Sequence, residues 1–118
     1  MKILHTADWH LGTFRSPVKD GVNLRTEDTK RCLDELIRVA NEEKPDYSIV
    51  SGDIFHVGRL WSDRCCEEII TAIHYIRELA AVSKQVVVMR GTPNHDGSGQ
   101  FNVLSEMFAD VPNVHVAI

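Results

Sequence analysis

Four short runs rich in β-branched residues recur along the chain, separated by segments with helical periodicity, and this alternation restricts the possible folds more than any other feature. The runs are KILHT at 2–6, YSIVS at 47–51, QVVVM at 85–89 and NVHVA at 113–117. After the first run, Leu33, Leu36, Ile37 and Ala40 share one face of a helix. Thr26 is placed to cap that helix, Glu27 and Asp28 suit its first turn, and Pro45 stops it. After the second run, Ser62 is placed to cap DRCCEEIITAIHYIRELAAVS, whose Cys66, Ile69, Ile70, Ile73, Ile76, Leu79 and Ala80 form an apolar stripe. A short helix from Phe101 to Ala109 precedes the last run. Parallel strands need a crossover, most often a helix, so the β-α-β-α-β-α-β order predicts an α/β fold: a mostly parallel sheet with flanking helices. Three consecutive valines predict that QVVVM is a fully buried strand. Residues 11–25, with Pro17 and the Asp20-Gly21 turn signal, read as a surface loop.

At 118 residues, 43% hydrophobic and 25% charged, the chain fits one globular domain or a piece of one. A net charge of −4 argues against gripping nucleic acid by phosphate neutralisation alone, so a polyanionic substrate would need a metal or a local basic loop. Cys32, Cys65 and Cys66 show no CxxC spacing and read as reduced, mostly buried thiols. The opening residues lack a signal peptide's apolar core and no stretch approaches membrane-spanning length, so a soluble cytoplasmic protein is expected.

Three polar clusters each follow a predicted strand: Asp8-x-His10, Gly52-Asp53-x-x-His56 and Asn94-His95-Asp96. The carboxyl ends of neighbouring parallel strands lie along one edge of a sheet, where ligands bind. One such cluster is ordinary turn chemistry. Three at successive strand ends, each pairing a carboxylate or amide with a histidine, point to a metal site. The oxygen and imidazole donors without thiolate suit manganese, iron or catalytic zinc better than a structural zinc site. His5, His74 and His115 lie inside predicted elements and are left out of the site, while Trp9 and Trp61 read as wall residues beside it. Arg59, Arg64 and Arg90 stand near the predicted edge but read as solvated or ion-paired.

In this order, with helices between them, DWH, GDIFH and NHD resemble the first three motifs of the calcineurin-like metallophosphoesterases. More narrowly, MKILHTADWHLG with SGDIFH resembles the nuclease subunit of the SbcCD and Mre-Rad type of DNA double-strand-break repair complexes, the SbcD type. The resemblance implies a four-layer αββα sandwich, with residues 1–118 as its first half, ending before the histidine motifs of the second half. It implies two divalent metals, manganese by the mixed donors: Asp8 and His10 on the first, Asp53 bridging both, and Asn94 on the second. His95 would be the catalytic histidine beside the scissile phosphate, with His56 as its neighbour. Phosphatases of the superfamily usually carry aspartate at the position of His56, within GDxxDRG, so His56 favours the nuclease. DNA would be the substrate and an SMC-like ATPase of the SbcC or Rad type the partner. The third motif departs from the usual Gly-Asn-His-Asp or Glu, because Thr92 and Pro93 lengthen its loop. Half a site should hold metal weakly, and a face left for the second sheet should make the chain self-associate. The competing expectations are a small-substrate phosphoesterase of the same superfamily and a non-catalytic module.

Overall fold

The structure, a computed structural model, describes residues 1–12, 18–20, 22–56, 58 and 63–118, with backbone alone at 18, 22, 23 and 63–66. Pro17, Gly21, Arg59, Trp61, Ser62 and the side chains of Arg64, Cys65 and Cys66 therefore lie outside the described residues. The elements are β1 (Ile3–Thr6), β2 (Val18–Lys19), β3 (Val22–Asn23), α1 (Leu24–Glu43), β4 (Tyr47–Ser51), α2 (Asp63–Val82), β5 (Gln85–Met89), α3 (Ser98–Met107) and β6 (Val114–Ala117). β1, β4, β5 and β6 make one parallel sheet in the order β1-β4-β5-β6. This is the α/β architecture the alternation predicts.

Each crossover steps the same way across the sheet, and a right-handed crossover that always steps the same way always lands its helix on the same face. That face carries the core. Leu4, Ser48, Val86 and Val114 stand in one row across the four strands, and Thr6, Val50, Val88 and Val116 in the next. Ser48, Val50, Val86 and Val88 are fully buried beneath Leu33, Ile37 and Ala40 of α1, Ile69, Ile73, Ile76 and Leu79 of α2, and Phe101 and Leu104 of α3. The alternate rows, with Ile3, His5, Tyr47, Ile49, Val87, Met89 and His115, look away from the helices. Ile3 is 59% exposed, Met89 41% and Tyr47 38%. β5 therefore alternates between buried and half-buried valines instead of being covered on both faces.

Several boundaries differ from expectation for local reasons. α1 starts at Leu24, so Thr26 lies inside it and is not its cap; β2 and β3 pair antiparallel and β3 runs straight into the helix. α3 starts at Ser98, three residues early, because the Gln100 side-chain Oε1 accepts the Gly97 N–H at 2.8 Å and closes its first turn. In α2, Ile70 is 64% exposed, since Ile69, Ala72, Ile73, Ile76 and Leu79 hold the i, i+3, i+4 positions and leave Ile70 beside the stripe. Cys32 is exposed, contrary to the expectation of buried thiols, because it falls on the outer side of α1 from Leu33. Among the described residues no helix is long and apolar enough to cross a membrane.

Candidate metal centre

Beyond the ends of β1 and β4 the chain keeps pairing without regular strand geometry. The N–H groups of Asp8, His10 and Leu11 donate to the carbonyls of Gly52, Asp53 and Ile54 at 3.0, 3.1 and 2.8 Å, and the His56 N–H returns to Leu11 O at 2.8 Å. Trp9 and Leu11 point into the core from between the polar positions, and the Trp9 indole N–H donates to Thr6 Oγ1 at 2.8 Å. The wall role expected for Trp9 is what its burial and its edge-on contact with Tyr75 provide.

Asp8, His10 and Asp53 adopt left-handed backbone, with φ of 55°, 48° and 51°. Such a conformation costs an L-residue on the order of 1–2 kcal/mol, and aspartate and histidine tolerate it better than most. Strain of this kind persists where the surroundings enforce it, here through the hydrogen bonds that zip the two loops together. Gly52, at φ +95°, passes so close to Gly91 that a Cβ on it would lie 2.6 Å from the Gly91 Cα. That contact of two glycine backbones brings the loop after β5 against the loop after β4.

The side chains converge accordingly. Donor atoms of Asp8, His10 and Asp53 lie within 4.8 Å of one another, and so do those of His10, His56 and His95. His10 Nε2 is 3.7 Å from Asp8 Oδ1. Five of the six predicted site residues thus meet at one end of the sheet. Asn94 stands beside His95 in the same loop, exposed, with its carbonyl accepting the Gly58 N–H at 3.0 Å. His5, His74 and His115 belong to neither group; they contact Ser51, Glu78 and Gln85 respectively. Arg90 is engaged as well, its Nε donating to Asp96 O at 2.8 Å.

Two residues of this loop gain roles that their sequence positions alone do not show. Asp96 is fully buried, and its two carboxylate oxygens accept the Phe55 and Gly91 N–H groups at 3.1 and 2.7 Å, pinning the second and third loops together. Thr92, one of the residues that lengthen the loop, donates both its N–H and its hydroxyl to Asp53 Oδ1, at 2.9 and 3.0 Å. The Thr92 N–H holds the Asp53 carboxyl below the usual carboxylate range. Burial, and then the neighbouring His10 and His95 rings, push the His56 imidazole below the ordinary histidine value.

A set of two carboxylates and an imidazole, offered from two loops joined by backbone hydrogen bonds, fits a divalent cation that takes oxygen and nitrogen ligands. Over residues 1–116 the sequence matches the family described as calcineurin-like phosphoesterase. The chain belongs to this family. Among curated proteins, this calcineurin-like phosphoesterase is 30% identical over 108 residues to the SbcD component of the nuclease SbcCD from Staphylococcus epidermidis and 31% identical over 108 residues to that from Staphylococcus saprophyticus. Each match covers 92% of this chain and 26% of the relative, so the chain spans about a quarter of the length of these proteins. Phosphoester hydrolysis with divalent metals is the chemistry of the family, and the loops after β1, β4 and β5 of this chain bring together side chains that could hold a metal ion.

Proposed function

We propose that the chain is the N-terminal part of an SbcD-like, metal-dependent DNA nuclease domain, the first half of an αββα sandwich. The observation that carries this reading is the meeting of Asp8, His10 and Asp53 in one donor group with His56 and His95 directly beside it. Support for DNA over a small ester comes from the relatives named as components of a nuclease and from His56 in place of the phosphatase aspartate. Asp8 and His10 would hold a first divalent ion, manganese by the donor set; Asp53 would bridge to a second, and Asn94 would complete this chain's share of it. When bound, such ions supply Lewis-acid polarisation of the phosphoryl oxygens and a water made acidic near neutral pH.

This chain's own residues do the rest. His95 donates its Nδ1 proton to the His56 carbonyl, 2.7 Å away, because a carbonyl can only accept. The neutral ring therefore presents a bare Nε2, and once protonated there it can neutralise charge on the scissile phosphate or give its proton to the leaving oxygen. His56, less readily protonated, stands beside His95 with the ring centroids 6.2 Å apart. A cytoplasmic location and an SbcC or Rad-type ATPase partner belong to the same proposal.

The test is cleavage in manganese by the longest protein the gene encodes, with a DNA duplex and a nitrophenyl phosphate ester side by side. DNA cleavage is expected to fall by about a hundredfold or more in His95→Asn with manganese binding nearly intact, whereas Asp53→Asn should lose the metal as well. Strong ester turnover without DNA cleavage would transfer the site to small substrates, and neither activity would leave a non-catalytic module.

A further inference from the structure

Trp9 stands between the two donors of the first loop, and its side chain goes the other way. It is 6% exposed, whereas Asp8 before it is exposed and His10 after it partly so. Both neighbours have left-handed backbone, so the chain turns over on either side of the indole. Where the indole sits therefore sets how the Asp8 carboxylate and the His10 ring face Asp53.

The indole is held at two points. Its N–H donates to Thr6 Oγ1 at 2.8 Å, a bond within the same segment that would travel with the loop. Its other contact is the edge-on Tyr75 ring of α2, with centroids 6.5 Å apart and planes at 75°. On the α1 side the segment borders an open cavity of about 460 Å3, lined among others by Asp8, Trp9, Cys32, Leu36 and Val39, so α1 does not wedge it in place. The Tyr75 ring is the wall against which Trp9 takes its register. Tyr75 is itself pinned: it is 5% exposed, and its hydroxyl donates to Asp34 Oδ1 of α1 at 2.7 Å, with the Lys30 carbonyl 3.3 Å away. A phenylalanine would fill the same space, so what the hydroxyl adds is a directional bond that fixes the ring between two helices.

We propose that Asp34 and Tyr75 are positioning residues for the metal centre, acting through Trp9 to hold Asp8 and His10 in donor geometry. Neither touches an ion or substrate. The proposal rests on reading Asp8, His10 and Asp53 as metal donors, and it names a support that reaches the first loop from the helices, whereas Thr92 acts on Asp53 from the loop after β5.

Two readouts on the longest protein the gene encodes test it. One is manganese affinity by calorimetric titration; the other, without metal, is hydrogen exchange at the Asp8, His10 and Leu11 amides, which donate to Gly52, Asp53 and Ile54. Tyr75→Phe and Asp34→Ala should each weaken manganese by about three- to tenfold and speed those amides by a similar factor. Asp34→Asn keeps an oxygen acceptor and should hold both readings within about twofold of the unsubstituted protein. Combining Tyr75→Phe with Asp34→Ala should lose no more than either alone, since both remove the same bond. Val114→Ala truncates the core in β6, at the opposite edge of the sheet from β1, and should leave both readings unchanged. The proposal is overturned if Asp34→Asn falls as far as Asp34→Ala, which would make the effect one of charge, if Val114→Ala weakens manganese equally, or if the first-loop amides keep their native rates. Asp34 is exposed on α1, so its two variants decide even where Tyr75→Phe does not fold. An unsubstituted protein that binds no manganese would overturn the metal reading instead, and the exchange rates, which need no metal, would still judge the anchor.

Discussion

Thr92 grips Asp53 from a sequence distance of 39 residues, with two donors on the same carboxylate oxygen. The grip leaves Oδ2 and the remaining lone pairs of Asp53 for a cation, and it fixes the plane in which they are offered. Thr92→Val removes the hydroxyl donor and keeps the N–H, in a side chain of nearly the same shape. Thr92 is exposed, so the unfolding free energy is expected to change by no more than about 0.5 kcal/mol. Manganese affinity should nevertheless fall by about tenfold, the cost of losing a partner that orients a ligand, and Thr92→Ser should restore it. Calorimetric titration beside thermal unfolding separates the two effects, and an unchanged affinity in Thr92→Val would reduce Thr92 to a loop residue.

Between the helices the most informative contact is Tyr75, which rises from α2 to donate its hydroxyl to Asp34 Oδ1 of α1 at 2.7 Å. Burial and then the Asp34 hydrogen bond push the Tyr75 phenol well above its ordinary value of about 10. A folded-state pKa above the unfolded one means that this contribution is complete below pH ~10 and is lost as the pH rises beyond it toward the folded value. Thermal unfolding followed from about pH 8 to about pH 11 should show stability declining more steeply above pH ~10 in the native chain than in Tyr75→Phe. The substitution itself should cost about 1 kcal/mol at neutral pH. Parallel curves would mean that Tyr75 ionises without opposing the fold. The existence of these helices was legible in the sequence because burial imposes a period on Leu33, Ile37 and Ala40, and on Ile69, Ile73 and Ile76. The start of α2 at Asp63 was legible too, but those of α1 and α3 were not, since the β2–β3 pair sets the first and a glutamine reaching back to Gly97 sets the other. The four strands of the parallel sheet were readable to within a residue, as β-branched runs between turns are, whereas β2 and β3 lie in the stretch that reads as a surface loop. At the site, Asp8, His10, Asp53, His56 and His95 stood out as residue types at strand ends, and the structure brings them together. The roles of Thr92 and Asp96 did not, although Asp96 belongs to the third cluster, because Asp53 and Phe55, which they hold, lie about 40 residues earlier and only the sheet's register makes them neighbours.

For the whole molecule, a sheet whose crossovers all fall on one side has a second face without helices, apolar in part and shared with His5 and His115. Ile3, Tyr47 and Met89 are exposed on it, and Ile49 and Val87 are half-buried. Burying that face against a second copy is the expected behaviour of this chain by itself. Light scattering should give a mass that rises with protein concentration, and Met89→Lys should bring it down to that of one chain; a strict monomer at every concentration would rule this out. The order of the strands has one more consequence. β1 pairs only with β4 among the described residues, and it is four residues long, yet it delivers Asp8 and His10. An edge strand opens more often than an inner one. Each opening would carry Asp8 and His10 away from Asp53 and break up the donor group, so the residence time of an ion there is set by how often the edge of the sheet frays, and an ion once seated acts as a clasp that slows the fraying.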